Sequence, residues 1–394
     1  MMTLIRNATV FAPEPQGEKD VLIAGRQIVA VEEPGRIQVA GPHVDVVEAL
    51  GKSILPGLID PHVHILGGGG EGGPATRAPE IRVEDIVAAG VTTVIGCLGT
   101  DGTTRHMESL LAKARALEAE GISTFIYSGS YEIPLRTITG SIRGDLVLID
   151  KVIGAGEVAI SDHRSSQPTF EEIARLAADC RVGGMLGGKA GVLHLHLGDG
   201  PRRLELLFRL AGETEIPPTQ VVPTHVNRNP ELFDEALRWA QAGGTIDLTT
   251  GPEPEAGNPE VSVERAIALC LERRVPLARL TVSSDSNGSF PVFDRAGNLT
   301  GLTIATQRDL LRIFRSLLRR GIVGAEDAAR LFSANSASFY KLPTKGSIRP
   351  GKDADLAVFD GGWELAEVFA LGRRLMSGGR VTARGTFSPV RADG

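Results

Sequence analysis

Cysteine is scarce in this chain of 394 residues, which contains Cys97, Cys180 and Cys270 and no Cys-x-x-Cys spacing. Such few and dispersed thiols argue against disulfides and favour reduced, buried cysteines in a cytoplasmic protein. The first residues lack the apolar region of a signal peptide, and no apolar run is long enough to span a bilayer. We therefore expect a cytoplasmic location and no membrane partner.

An excess of positive charge is also lacking, because 42 lysines and arginines stand against 48 aspartates and glutamates, a net charge of −6. This mild acidity argues against a nucleic-acid partner and against a polybasic patch for membranes. It leaves the charge of the substrate open, since a site inside an acidic protein can be basic. Glycine, in contrast, is plentiful at 48 residues, which fits many tight turns between strands and loops.

Both ends of the chain contain short β patterns that glycine and proline interrupt. They occupy residues 1–53 and the region from about 345 to 394, and neither region shows a helical period. We therefore expect one small β-sandwich domain built from residues 1–53 plus 345–394. Two separate surface appendages are the alternative.

The middle of the chain, residues 54–344, alternates apolar runs with helical patterns. Strands that alternate with helices imply a parallel sheet, and eight such units predict a closed (β/α)₈ barrel of TIM type as the catalytic domain. An open, doubly wound sheet is the alternative, but no Gly-x-Gly-x-x-Gly motif follows a first strand. The predicted strands are Gly57–Leu66, Thr92–Leu98, Thr124–Ser130, Glu157–His163, Val192–Leu197, Val221–Val226, Thr245–Thr249 and Leu280–Asp285.

The segment Asp60–His64 places two imidazoles at alternating positions of the first predicted strand. Because alternate side chains of a strand point to the same side, His62 and His64 can converge on one divalent ion. Chance also produces such pairs, but here other metal-capable residues follow at the mouth of the barrel, where the chemistry of this fold takes place. The residues in question are Glu157, Asp162 and His163 on the fourth strand, His194, His196 and Asp199 on or just after the fifth, His225 on the sixth and Asp285 on the eighth.

The order of these residues along the strands resembles the amidohydrolase superfamily. That order is His-x-His on the first strand, an acid on the fourth, single histidines on the fifth and sixth, and an aspartate on the eighth. The flanking stretches Ile54–Asp60 and Gly346–Leu356 agree with it. Within the superfamily the chain is most similar to the isoaspartyl (β-aspartyl) dipeptidase family, and the resemblance covers essentially the whole chain. The matching stretches are Gly67–Glu71, Leu98–Asp101, Ile160–Arg164, Pro223–Asn229 and Ser284–Ser289.

One position departs from the family pattern. The family's usual residue on the fourth strand is a lysine carboxylated by CO₂, which bridges two metal ions, whereas Glu157 stands at the matching place here. Lys151 lies too far upstream to serve on the same strand. A lysine carbamate and a glutamate both carry one negative charge and two oxygens, so we expect Glu157 to bridge the ions without CO₂. The alternative is that Glu157 is a surface acid and the site holds one ion.

The resemblance implies hydrolysis of isoaspartyl dipeptides by two divalent ions, with zinc as the expected metal, which share a hydroxide. Asp285 would act as general base and then as general acid, and Tyr131 would polarise the substrate carbonyl opposite a metal. The alternative for Tyr131 is a purely structural, packed tyrosine. One ion would be held by His62, His64 and Asp285, and the other by His196 and His225.

A dipeptide with one free amine and two carboxylates needs partners of both charges. The resemblance implies that Glu71 binds the amine and that Arg164 and Arg228 each bind a carboxylate through two parallel hydrogen bonds. Ordinary loop salt bridges and surface loops are the alternatives. The backbone at Gly69 and the hydroxyls of Thr100 and Ser289 would complete the pocket.

Other functions remain open at this point. A cyclic-amide hydrolase, such as a dihydroorotase or hydantoinase, or a deaminase would share the same metal ligands, although Glu71 and the two arginines suit a dipeptide better. A non-catalytic scaffold protein would normally have lost ligands. The family tends to form homo-oligomers, which we expect here. Of the remaining histidines, we expect His194 in the barrel core and His163 as a residue that orients a ligand.

Overall fold

The structure, a computed structural model, describes residues 2–251, 260–293 and 299–388. Its first five strands lie in one mixed sheet, and the apolar runs Leu4–Ile5 and Val21–Ile23 of the first two strands are buried. The carboxylate of Asp20 connects separate chain segments at this sheet, because it accepts hydrogen bonds from the backbone N–H groups of Asn7 and Gly35. These strands are β1 (Met2–Phe11), β2 (Pro15–Ala24), β3 (Gln27–Glu32), β4 (Val44–Glu48) and β5 (Ser53–Pro56).

Eight strands of the middle region surround a common interior, which confirms the α/β barrel of TIM type. Apart from the partly buried Phe125, every residue of these strands is buried, as expected for parallel strands covered by helices. Their bounds are β6 (Leu58–Val63), β7 (Val91–Gly96), β8 (Ser123–Ser128), β9 (Val152–Ile160), β10 (Val192–Leu197), β11 (Val221–Thr224), β12 (Ile246–Thr249) and β13 (Leu280–Ser283). One strand was predicted badly: β9 begins five residues before Glu157, where Gly154 and Gly156 obscure the apolar pattern.

Parallel pairing runs from β6 to β11 without a break, and β12 and β13 form a separate pair. Two buried carboxylates form hydrogen bonds between strands that the two ladders leave unpaired. Asp247 of β12 accepts from the hydroxyls of Thr224 and Thr281, at 2.7 and 2.5 Å, and so joins β11 to β13. Asp60 of β6 accepts from the backbone N–H of Ser284 at 3.0 Å. These side-chain hydrogen bonds, together with an isolated parallel backbone bridge between Val63 and Ser286, close the barrel.

The helices cover the outside of the barrel and begin at recognisable sequence signals. Thr169 and Glu172 form a complete capping box at the start of one of them, and Gly188 ends it in the left-handed conformation. Asn229 caps another, with Pro230 in its first turn. Within the described residues, none of the helices combines the length and apolar character needed to cross a bilayer. They are α1 (Val83–Val87), α2 (Met107–Glu120), α3 (Ile142–Leu148), α4 (Phe170–Gly187), α5 (Glu205–Glu213), α6 (Pro230–Gln241), α7 (Val263–Glu272), α8 (Gln307–Arg319), α9 (Ala325–Ala329) and α10 (Asn335–Phe339).

After the barrel strands comes a hairpin that the sequence patterns did not predict, β14 (Ser289–Phe293) and β15 (Leu299–Ile304). The last strands are β16 (Leu356–Phe359), β17 (Leu365–Ala370), β18 (Arg373–Ser377) and β19 (Arg380–Val381). They join the first ones in a single nine-stranded mixed sheet, because β16 pairs antiparallel with β5. Both ends of the chain therefore share one sheet. Its description as a sandwich, and the domain bounds 1–53 plus 345–394 and 54–344, stay predictions.

Candidate active site

Six side chains meet where the barrel strands end, and they are the six candidate metal ligands of the sequence. The backbone turns sharply at two of them, because His225, directly after β11, and Asp285, two residues after β13, adopt left-handed φ angles of 60° and 52°. His62, Glu157 and His196 lie in β6, β9 and β10, and His64 follows β6. Strands that are distant in the sequence thus deliver these groups to one point.

Glu157 lies at the centre of this cluster, and its two carboxylate oxygens face different histidines. Oε1 is 3.3 Å from Nε2 of His64, whereas Oε2 is 3.1 Å from Nδ1 of His196 and 3.7 Å from Nε2 of His225. Burial alone would raise the pKa of Glu157, but the charge of His62 and hydrogen bonds from the other histidines hold it well below its usual value. Glu157 is therefore an anion whose Oε1 faces His64, while its Oε2 faces the two single histidines and also lies 3.5 Å from Nε2 of His62.

Asp285 faces the His-x-His pair. Its Oδ1 atom is 3.0 Å from Nε2 of His64 and 3.4 Å from Nε2 of His62. Burial would raise the pKa of Asp285, but the imidazoles of His62 and His64 beside it outweigh burial, and the pKa lies below its usual value. On the other side, burial lowers the pKa of His225 to about 3, so its imidazole is neutral and its Nε2 lone pair can bind a metal.

The donor atoms of the cluster fit divalent cations. Within the described part of the chain, His62 Nε2, Glu157 Oε1 and Asp285 Oδ1 are buried atoms without a hydrogen-bond partner. Buried polar atoms are rarely left unpaired unless a missing group completes them. Atoms that lie within 4.8 Å of one another form three groups, namely His62–His64–Cys97–Glu157, His62–His225–Asp285 and Glu157–His196–His225. Imidazole nitrogens with carboxylate oxygens are the donors that zinc and its neighbours prefer.

Neighbouring residues orient the histidines from behind. Nδ1 of His62 lies 2.8 Å from Nε2 of His194, and Nδ1 of His225 lies 2.7 Å from the hydroxyl of Thr249. Each contact leaves the opposite nitrogen, Nε2, facing the cluster. His194 is itself fully buried and stacked on Tyr127 at 4.5 Å, as predicted for a core histidine. Its contact with His62 gives it a positioning role that the sequence did not reveal.

Asp162 connects a candidate metal ligand to a candidate substrate residue. Its Oδ2 atom is 3.0 Å from Nε2 of His196 and accepts from Nη2 of Arg164 at 2.7 Å. Its Oδ1 atom accepts from Nε of the same arginine at 3.0 Å. Burial would raise the pKa of Asp162, but these hydrogen bonds hold it below its usual value. The expectation for His163 was wrong, because that side chain is exposed and the neighbouring aspartate orients the ligand.

A cavity beside the cluster contains all of the candidate substrate residues. Glu71 lies on one wall, where its carboxylate accepts from the hydroxyls of Thr100 and Ser289 at 2.9 and 3.2 Å. Tyr131 lies opposite, with its hydroxyl 2.8 Å from Nδ1 of His196. The sequence predictions for this pocket were Gly69, Glu71, Thr100, Arg164, Arg228 and Ser289, and each of them lines the cavity.

The two arginines of the cavity differ in their surroundings. Arg164 is held by Asp162, and its guanidinium carbon lies 5.5 Å from the centre of the Tyr131 ring. Among the described residues, the buried Nε atom of Arg228 has no hydrogen-bond partner, so this guanidinium is able to donate hydrogen bonds to a ligand. Both guanidinium groups face the space above the metal-ligand cluster, where they can bind an anion.

Arg105, which sequence reasoning missed, supports the glycine-rich wall of the cavity. Its guanidinium is buried and donates to the carbonyls of Gly68 and Gly69 at 2.8 and 3.2 Å. Gly69 has a φ of 74°, and a Cβ atom there would lie 2.4 Å from the carbonyl oxygen of Thr76. This wall therefore needs both the glycine and the buried arginine. Lys151 lies elsewhere, in an ion pair with Glu118.

Comparisons with known proteins agree with this geometry. A model of the amidohydrolase family matches residues 261–381. Two crystal structures of β-aspartyl dipeptidase from the thermophilic, keratin-degrading Fervidobacterium islandicum AW-1 superpose with TM-scores of 0.90 and 0.89, at 46% and 44% sequence identity. Both cover 98% of this chain and 100% of the other, and the first contains a β-Asp-Leu dipeptide. This chain belongs to the β-aspartyl dipeptidase family.

More distant relatives of the family share the fold or part of the sequence. A D-hydantoinase structure superposes with a TM-score of 0.68 at 16% identity over 98% of each chain, which shows a common fold alone. A dihydroorotase from Streptococcus pyogenes is 29% identical over 50% of this chain and 47% of that protein. An adenine deaminase from Halalkalibacterium halodurans is 26% identical over 94% of this chain and 57% of that protein. The chain spans about half the length of these curated relatives.

Proposed function

We propose that this protein is a metal-dependent dipeptidase that hydrolyses isoaspartyl (β-aspartyl) dipeptides. The observation that carries the proposal is the meeting of two features in one cavity. One is the cluster of imidazoles and carboxylates around Glu157, and the other is the set of one acid and two arginines above it. The high identity to a β-aspartyl dipeptidase crystallised with β-Asp-Leu supports the same conclusion.

The proposed centre contains two divalent ions, with zinc as the expected metal. Bound there, they supply a hydroxide nucleophile at neutral pH and polarise the scissile carbonyl. Glu157 would take the place of a bridging lysine carbamate, because Oε1 lies towards His64 and Oε2 towards His196 and His225. His62 and His64 would then bind one ion together with Asp285, and the two single histidines would bind the other ion.

Two residues of the chain handle protons and charge in the proposed reaction. Asp285 is ionised and lies at the edge of the cavity, so its carboxylate can take a proton from the nucleophile and pass it to the leaving amine. The hydroxyl of Tyr131 projects into the same space and can donate a hydrogen bond to the oxygen of the scissile carbonyl. Burial raises the pKa of Tyr131 well above its usual value, which keeps the phenol protonated.

The charges of the pocket match an isoaspartyl dipeptide. In such a peptide the bond runs through the side-chain carboxyl of aspartate, so the α-amine and the α-carboxylate both stay free. The carboxylate of the leaving residue adds a second negative charge. Glu71 can bind the amine, while Arg164 and Arg228 can each bind one carboxylate. A neutral cyclic amide would leave Glu71 without a charged partner, which makes that alternative the weaker one.

Further proposals concern the organisation of the protein. We propose that residues 1–53 plus 345–394 form a small β-sandwich domain beside the catalytic barrel, which the shared mixed sheet supports. We also propose a cytoplasmic homo-oligomer. The three cysteines are buried and free, as in a reducing compartment. Exposed apolar side chains at the ends of α3 and α4 support self-association, namely Val147, Leu148, Met185 and Leu186.

A hydrolysis screen of the zinc-loaded protein tests the proposed function. We expect β-Asp-Leu to be cleaved, α-Asp-Leu to be cleaved at least about 10²-fold more slowly, and dihydroorotate and a hydantoin to be left intact. Acetylation of the α-amine of β-Asp-Leu removes the partner of Glu71 and is expected to abolish turnover. Faster hydrolysis of either cyclic amide than of β-Asp-Leu would overturn the assignment.

A substitution of Asp162 tests its connecting role. Asp162→Asn removes the charge and replaces one acceptor oxygen with an NH₂ group, so the three contacts with His196 and Arg164 cannot all be kept. We expect kcat/KM for β-Asp-Leu to fall about 10–100-fold, with a higher KM and a weaker zinc affinity. Steady-state kinetics and zinc titration of the apo protein measure the two effects separately. The control is Asp179→Asn, since Asp179 pairs with Arg143 on the outer surface. Unchanged KM and zinc affinity would contradict the role.

A further inference from the structure

Cys97 belongs to the same group of donor atoms as the His-x-His pair. It follows the last residue of β7, and its backbone N–H donates to the carbonyl of Val63 at 3.0 Å, which places it beside the strand that carries the pair. Its Sγ atom is 3.8 Å from Nδ1 of His64. The sulfur and the donor atoms of His62, His64 and Glu157 all lie within 4.8 Å of one another.

The direction of the Cys97 side chain follows from strand alternation. Ile95 packs in the interior cluster of the barrel, whereas Val94 packs outward among the helices. Cys97 is two residues beyond Ile95 and belongs to the same interior cluster. Its exposed fraction is 1%, so it is as deeply buried as the metal-capable histidines. The thiol therefore lies inside the barrel mouth, between the carbonyl oxygen of Val63 at 3.6 Å and the imidazole of His64.

Two atoms beside the thiol point to a ligand at this place. His62 Nε2 and Glu157 Oε1 are buried atoms without a hydrogen-bond partner within the described ranges. The second of them is 3.3 Å from Nε2 of His64. Imidazole nitrogens, a carboxylate oxygen and a thiolate sulfur are all donors that zinc accepts, so the sulfur can add to the ligands of this ion.

We propose that Cys97, as a thiolate, is an additional ligand of the ion held by His62 and His64. This inference rests on the proposed metal-dependent function. Binding of the ion releases the thiol proton to solvent and forms a metal–sulfur bond. Sulfur is a soft donor, so this ion should be thiophilic, with zinc, cobalt and cadmium bound in preference to magnesium or manganese.

Cobalt(II) provides the test, because a thiolate bound to cobalt gives an intense charge-transfer absorption in the near ultraviolet that nitrogen and oxygen ligands do not give. We expect this absorption when the apo protein is titrated with cobalt(II), and we expect its loss in Cys97→Ala and Cys97→Ser. The control is Cys180→Ala, because Cys180 is buried in α4 outside the barrel interior. Zinc affinity of one ion should fall more than about tenfold in both Cys97 variants.

Activity of the same samples separates this inference from the proposed function. Two bound cobalt ions and hydrolysis of β-Asp-Leu without the absorption would overturn the ligand role and leave the dipeptidase function standing. Retention of the absorption in Cys97→Ala would likewise overturn it. The absorption without any hydrolysis of β-Asp-Leu would instead support Cys97 as a ligand and contradict the function. Circular dichroism of the apo variants verifies that they are folded.

Discussion

Asp285→Asn is expected to lower kcat for β-Asp-Leu by about 10²–10⁴-fold, the range for loss of a general acid–base group, while most substrate binding is retained. Asparagine has nearly the same shape, but it cannot accept a proton from the nucleophile. The proposed substrate-binding residues Glu71 and Arg228, which line the same cavity, are expected to keep their positions in this variant. The effect should therefore fall on kcat and much less on KM.

Rapid-quench kinetics with zinc-loaded protein measure this effect, and the zinc content of the same preparation shows whether a metal ion was lost. The remaining donors Glu157, His196 and His225 are expected to retain at least one ion. Asp234→Asn is the matched control, because that carboxylate is exposed and pairs with Arg273 on the surface. An Asp285→Asn variant with wild-type kcat would end the proton-transfer role of Asp285.

Removal of the metals by a chelator is expected to abolish hydrolysis, and zinc alone should restore it in buffer freed of CO₂. The reason is that Glu157 supplies the charge and the two oxygens that a lysine carbamate would need CO₂ to provide. Added bicarbonate should therefore change neither the rate nor the extent of reactivation. Stimulation by bicarbonate would contradict a bridging glutamate.

A second arm of this experiment uses Glu157→Gln. Glutamine keeps the size of the side chain but removes its charge, so the two cations would repel each other without compensation. We expect the zinc content to fall from about two ions per chain to one or fewer, and activity to fall by at least about 10²-fold. Glu213→Gln, at an exposed ion pair on α5, is the control. Full occupancy and activity in Glu157→Gln would show that Glu157 is dispensable.

The six candidate metal ligands could be predicted because local rules apply to them. His62 and His64 follow the alternation of a strand, and the others stand near the ends of strands that the apolar pattern marks. In a parallel barrel these ends meet on one side whatever the details of the loops. The approximate bounds of most strands were therefore sufficient to place the residues together.

Residues that depend on the exact backbone path could not be predicted. The sequence suggested His163 as an orienting residue, but the chain turns at Ser161 with a φ of 51°, and this turn directs Asp162 inward instead. Arg105 supports a loop that lies 36 residues earlier in the chain, and no local pattern indicates that contact. Cys97 gave no signal beyond being a thiol, because its neighbours come from other strands.

The sequence alone thus determined the barrel, the positions of its strands and the residue types at its mouth, because apolar periodicity and strand-end chemistry are local properties. Only the tertiary structure decided which atoms lie within bonding distance of one another. The direction of each Glu157 oxygen, the link from His196 through Asp162 to Arg164, and the approach of Cys97 to the histidines depend on strand register and on single turns. A shift of one residue in a strand would turn each of these side chains to the opposite face.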